Sequence, residues 1–217
     1  PVHTLKRLLQ TVFRTPMTQP DFAGAQQHAL GRLAQELAPD LFFHSLAHTR
    51  DDVLPAVERL APMEGVEGTA LQLLRTAACY HDIGFIERRI DHEFVSVRIA
   101  TETLPQFGFL PEQIEVIGGI IMATRLPQSP HNLLEELMAD ADLDSLGRSD
   151  FFSRSDALRA ELAAYGSHSS DEQWYSRLLQ LLQEHRYFTN AARTLHSAQK
   201  QENIAAATRL LAQSRVH

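Results

Sequence analysis

The chain has 217 residues, of which 44% are apolar and 22% charged, an ordinary globular composition long enough to bury a substantial core in one domain. Its formal net charge of −7 argues against a general nucleic-acid or anionic-membrane surface, because phosphate backbones demand clustered Lys and Arg. A small phosphorylated ligand stays open, since a metal can supply local positive charge.

Helical periodicity runs through almost the whole chain. Helices are expected near 3–14, 20–37, 45–61, 66–83, 91–107, 111–125, 130–146, 150–165, 171–187 and 197–214. The first, in "PVHTLKRLLQTVF", places Leu5, Leu8, Leu9, Val12 and Phe13 on one side. It lacks the long apolar region of a secretory signal. No stretch approaches the roughly 20 apolar residues of a membrane span, so the expected location is the cytoplasm. A single cysteine, Cys79, excludes an intramolecular disulfide and fits a reducing compartment. Pro16 and Pro20 precede the second helix, Pro39 ends it, Pro111 starts the sixth, and Pro127 and Pro130 separate the sixth from the seventh. "YGSHSSDEQ" reads as a loop with Ser170 or Asp171 capping the next helix. No alternating run is bounded by hairpin signals. The expected fold class is all-α, in a single domain.

Three segments put metal-type ligands on apolar faces. In "FFHSLAHTRDDVL", His44 and His48 stand four apart, so a helix points both rings the same way. The zinc-protease HExxH pattern fails here, because position 45 is Ser. In "ACYHDIGF", His81 continues the stripe of Leu71, Leu74, Ala77 and Ala78, and Asp82 follows at the helix end. Gly84 is expected as the left-handed stop residue. A buried His–Asp hydrogen-bonded pair would account for the same two residues. In "NLLEELMADADLDSLG", Asp142 continues the stripe of Leu134, Leu137, Met138 and Ala141, whereas Asp140 and Asp144 lie off that line and are more easily solvated. His3, His28, His168, His196 and His217 have bland readings as solvated or satisfied core residues. Together, His48, His81 with Asp82, and Asp142 form a donor set that divalent ions accept.

The order His … His-Asp … Asp, within "AHT", "YHDIGF" and "ADADLDSLG", resembles the HD-domain superfamily of metal-dependent phosphohydrolases over roughly 25–147, with a weaker likeness in "EHRYFTNAARTL". The resemblance implies an all-helical fold, which agrees with the periodicity; helices 150–217 are expected to pack on this metal-site core as part of the same unit. It makes His48 the first ligand, His81 and Asp82 the central pair, and Asp142 the closing aspartate. Asp140 is the alternative, because "ADAD" permits a two-residue shift. His44 falls where the phosphodiesterase relatives keep the histidine that protonates the leaving oxygen. "HEFVSVRIA" resembles the HxxxGAxxL segment of two-metal members, which makes His92 a second-site ligand or phosphate contact, with Ser96 in place of the glycine. The class that cleaves cyclic dinucleotides carries paired histidines and a Gly-Tyr-Pro element. This chain has "IIMATRLPQSPH" there, which argues against that activity and leaves Thr124, Arg125 and His131 as substrate-facing candidates.

The implied activity is hydrolysis of a phosphomonoester or phosphodiester of a nucleotide-like small molecule by attack of a metal-bound hydroxide. One or two ions (Mn, Mg, Fe, Zn or Ni) would serve, with Asp82 as the natural bridge. His44 would donate the proton, and Arg88 with Arg89 would clamp phosphate; an exposed basic pair is the plain alternative for those arginines. Two other readings use the same residues. One is a di-iron oxygenase with His92 as an extra ligand, and the other a non-catalytic nucleotide-sensing module. The amphipathic ends permit a homodimer.

Overall fold

In a computed structural model that describes residues 19–216, every regular element is helical. The helix expected over 3–14 lies outside the described residues, as do His3 and His217. Helix α1 (Phe22–Glu36) starts at Asp21, whose carboxylate accepts the Gly24 amide at 2.8 Å. It buries Ala25, Ala29 and Leu33, spaced four apart on one face.

The next helix is entered through a π turn, His48–Val53, before α2 proper (Leu54–Met63). The cause is Pro55. Proline has no N–H for the carbonyl four residues back, and its ring crowds that carbonyl. The backbone therefore widens, and the Leu54 amide bonds the Thr49 carbonyl five residues back. Such π turns recur at functional sites, and this one buries both His48 and Asp52.

Helix α3 (Gly68–Tyr80) ends in His81 and Asp82, followed by the 3-10 turn Ile83–Ile86. Gly84 is not the left-handed stop that its position suggested, since it is absent from the positive-φ glycines of the chain. It is needed for close approach: a Cβ there would stand 2.1 Å from the His92 carbonyl oxygen. The Gly84 amide donates to Ser96 Oγ at 2.9 Å. The end of α3 is thus clamped against the start of α4 (His92–Thr103).

Helix α5 (Pro111–Met122) begins with proline at its first position, and α6 (Leu133–Asp142) is capped by Asn132, which accepts the Leu134 and Glu135 amides. A 3-10 turn, Asp144–Gly147, leads to α7 (Phe151–Ala164). Helix α8 (Asp171–Glu184) has Ser170 and Gln173 as a capping box. Helix α9 (Asn190–Ser214) starts well before the expected position 197, because Thr189 caps it by accepting the Ala192 amide at 3.1 Å. One large apolar cluster unites α1–α6 and takes in Tyr187, Ala191 and Ala192, and a second unites α7, α8 and α9 around Phe151, Trp174, Leu178 and Leu182. No helix of the described residues is long and apolar enough to cross a membrane.

Candidate metal centre and active site

Three helix ends meet where the two clusters join. The π turn supplies His48, the end of α3 supplies His81 and Asp82, and the end of α6 supplies Asp142. Ligand atoms of His48, His81 and Asp142 all lie within 4.8 Å of one another. His48 Nε2 is 3.2 Å from Asp142 Oδ1 and 3.8 Å from Asp82 Oδ2. His81 Nε2 is 3.4 Å and 3.3 Å from the same two oxygens. His48, His81 and Asp82 are buried, and Asp142 is open to the adjoining cavity.

The arrangement is compatible with a bound cation. His81 Nδ1 lies 2.7 Å from the Ala78 carbonyl, which can only accept, so Nδ1 carries the proton and Nε2 turns its lone pair inward. His81 Nε2 and Asp82 Oδ2 are fully buried and have no hydrogen-bond partner. Native interiors rarely leave such atoms bare, and a shared divalent ion satisfies both. Electrostatics agree. Burial works against the charge of Asp82 and Asp142, but the facing imidazoles win: they hold Asp82 well below the usual carboxylate range and Asp142 near about 2. Burial likewise opposes a charged His81, and the two carboxylates raise its pKa well above the ordinary value. Protons and a metal compete for these atoms.

His92 sits beside the cluster. Its Nε2 is 3.3 Å from Asp82 Oδ1. Its Nδ1 lies 3.2 Å from the Arg89 carbonyl and donates to it. A neutral ring would then point a lone pair at a carboxylate oxygen. Burial disfavours the charged ring, yet Asp82 raises its pKa; an imidazolium or a shared cation resolves the clash.

His44 stacks on Phe85 with ring centroids 4.2 Å apart and lines the same cavity. Its Nδ1 is 2.6 Å from Glu161 Oε1, while Glu161 Oε2 accepts the Phe43 and His44 amides at 2.9 and 3.0 Å. Burial opposes the charge of Glu161, but the His44 ring and the two amides hold its carboxyl below its ordinary pKa. An anionic Glu161 accepts, so His44 Nδ1 donates and its Nε2 is left for chemistry. Glu161 lies 117 residues from His44 and carries no motif, so only packing reveals it. Asp52 is likewise missed, although its position four after His48 in a helix was a usable sign. Its carboxylate stands 3.9 Å behind His48 Nδ1 and accepts from Arg148 and Arg154 at 2.9 and 2.8 Å.

Several expectations change. Asp140 and Asp144, off the apolar stripe and so more easily solvated by sequence, are both buried. Asp140 faces away from the cluster and accepts from the Phe188 and Thr189 amides and the Thr189 hydroxyl at 2.9, 2.8 and 2.7 Å. Asp144 pairs with Arg59 at 2.6 Å, and His196 Nε2 lies 2.7 Å from it. The helix turns by about 100° per residue, so aspartates two apart point to opposite sides. Arg88 is exposed and donates to the Asp91 carbonyl instead of facing the cluster. Its neighbour Arg89 lines the cavity, with its guanidinium 3.7 Å over the Tyr165 ring. Thr124 lines the cavity but donates its hydroxyl hydrogen to the Ile121 carbonyl at 2.8 Å. Arg125 also lines it, paired with Asp91 at 3.3 Å. His131 is exposed and bonds Glu135. Cys79 is a buried free thiol, which burial pushes up to about 12.

Comparison with solved structures finds this arrangement of helices in the crystal structure of a predicted HD superfamily hydrolase from an uncultured Thermotogales bacterium. The match has a TM-score of 0.60 at 19% identity, covering 86% of this chain and 91% of that one. No protein-family model and no curated protein matches the chain. At that identity the match shows a shared fold: this all-α bundle has the fold of that predicted HD superfamily hydrolase.

Proposed function

We propose that the chain is a metal-dependent phosphohydrolase acting on a phosphomonoester or phosphodiester of a small molecule. The observation that carries this reading is the convergence of His48, His81, Asp82 and Asp142 with two buried, unpartnered atoms turned inward, beside His44 on one cavity. One or two divalent ions (Mn, Mg, Fe, Zn or Ni) held by these four residues would supply a Lewis acid and lower the pKa of water from 15.7 towards roughly 7. The solved relative's name, a predicted hydrolase, supports the same class.

The chain's own residues supply the rest. Water adds to phosphorus, the bond from phosphorus to the ester oxygen breaks, and that oxygen takes a proton as the alcohol leaves. His44 is the donor: it fronts the cavity, and Glu161 fixes which nitrogen faces inward. A general acid of this kind is typically worth about 10²–10⁴ in rate. Asp82 faces His48 and His81 through Oδ2 and His92 through Oδ1, so one carboxylate can serve two ions or an ion and an imidazolium. Arg89, with its Nε buried and unpartnered beside the cavity, replaces Arg88 as the cation for a phosphate oxygen.

The test is metal analysis of the purified chain together with phosphate release from a panel of phosphoesters with Mn added. His81→Ala and Asp82→Ala should lose both metal and turnover. Turnover that survives both substitutions overturns the reading. Oxygen consumption without phosphate release would assign the same ligands to oxidative chemistry.

A further inference from the structure

The cavity, of about 510 Å³, is lined by groups of opposite chemistry and has a volume suited to one small ligand. His44, Asp82, His92 and Asp142 form one part of its lining. The rest of the wall includes Leu146, Phe151, Leu158, Leu162, Leu178 and Leu181, from the turn after α6 and from α7 and α8. All six belong to the second apolar cluster or pack against it. They are held from behind, so this face is a formed surface.

Of the polar side chains on that wall, Ser155 and Arg154 are already engaged, which leaves the Ser145 hydroxyl. Ser155 Oγ donates to the Phe152 carbonyl at 2.9 Å. Arg154 gives its guanidinium to Asp52 at 2.8 Å and Asp150 at 3.5 Å. Among the described residues, the buried side-chain atoms of the cavity lining that lack a partner belong to Asp82 and Arg89, not to the leucine-lined wall. A sugar or nucleobase placed there would lose its water and find little beyond the Ser145 hydroxyl to bond in return. An apolar group would gain from burial.

We propose that the substrate's organic part is apolar: an alkyl or aryl group packs on the leucine-lined wall while the phosphate lies at the His–Asp cluster. This departs from the nucleotide-like ester that the family resemblance implies. It rests on the phosphohydrolase reading for the phosphate, whereas the apolar part stands on the cavity's own lining. Hydrolysis then adds water across the ester P–O bond and releases inorganic phosphate and an apolar alcohol.

The test uses the full chain loaded with Mn and a series of ethyl, butyl, hexyl and octyl phosphates, whose leaving groups match in chemistry, with glycerol phosphate as the polar control. The ratio kcat/KM should rise about threefold per added methylene until the wall is covered, chiefly through KM. Leu158→Asn on α7 and Leu181→Asn on α8 should each flatten that slope; thermal melts show which variant is folded, and the unaltered chain's series decides by itself if neither is. Calorimetric titration with methyl-, butyl- and octylphosphonate reads binding without turnover. Phosphonates that bind more tightly with length while no ester is cleaved would end the hydrolase reading and leave this proposal standing. Rates or affinities flat with length, glycerol phosphate preferred over hexyl phosphate, or no binding of any phosphonate and no ester cleaved would each overturn it.

Discussion

Helices α1–α6 and helices α7–α9 meet at one cavity but bring different things to it. The first half buries a large aliphatic cluster and places His48, His81 with Asp82, and Asp142 at the termini of three of its segments. The second half has no residue in that set. Instead it holds the residues around the set. Glu161 orients His44, Arg148 and Arg154 engage Asp52, Thr189 engages Asp140, and His196 engages Asp144. Donor atoms thus come from one half, which also holds His81 through the Ala78 carbonyl, while the other half supplies the partners of His44 and Asp52. Partners of this kind set ligand orientation and basicity, so the two halves should fail differently when altered.

The largest separation should come from the two aspartates of "ADAD". Asp142→Ala should abolish turnover and lower metal affinity by more than about 100-fold with little change in melting temperature. Asp140→Ala should keep the metal but cost about 2–4 kcal/mol of stability, because it strands a buried hydroxyl and two amides at the start of α9. Metal content and denaturant melts of the two variants decide it, and the reverse pattern would move the site by two residues. Next is the pair that spans the halves. His44→Ala should lower kcat by about 10²–10⁴ with metal retained. Glu161→Gln should cost less, roughly tenfold, since it disturbs the ring's orientation and leaves the ring in place; equal losses in the two would mean that Glu161 does more than position.

Smaller effects probe the joints. Gly84→Ala should destabilise by about 1–3 kcal/mol, because its Cβ would collide with the His92 carbonyl. The same change should loosen His92 from Asp82, read as a weaker second metal or a shifted His92 resonance. The smallest expected effect lies far from the cluster. His185 Nδ1 lies 3.0 Å from Lys200 Nζ and accepts from it, and burial first, then the Lys200 and Arg186 charges, lower its pKa to about 3. An unfolded histidine takes its proton near about 6.5. Between those values the unfolded chain binds more protons than the native one, so stability falls as pH drops. The melting temperature should decline from about pH 7 to about pH 5 more steeply in the unaltered chain than in His185→Gln. Parallel declines would show that His185 protonates freely in the native state.

Local chemistry was legible in the residues themselves. The helical period, the prolines and the Ser170 cap mark most elements because they act within a turn or two of the chain. Asp142 stood out because it continues a stripe of inward residues, and the structure brings it to His48 and His81. The α9 start was missed because Thr189 works as a cap inside a segment with little amphipathic signal, anchored by Asp140 some 49 residues away. Asp140 and Asp144 look solvated on a helical wheel, since a wheel shows one apolar stripe and not the second lobe packed on the other side.

The chain order alone determined an all-helical bundle and four ligand-type side chains on inward faces, because periodicity and residue chemistry are properties of short segments. Only the tertiary structure decided that Gly84 serves close approach and not a left-handed turn, that Arg89 and not Arg88 faces the cavity, that Glu161 orients His44, and that a leucine-lined wall adjoins the His–Asp cluster. Each of these depends on what an element meets across the fold, and helices distant in sequence meet through packing that no short segment encodes.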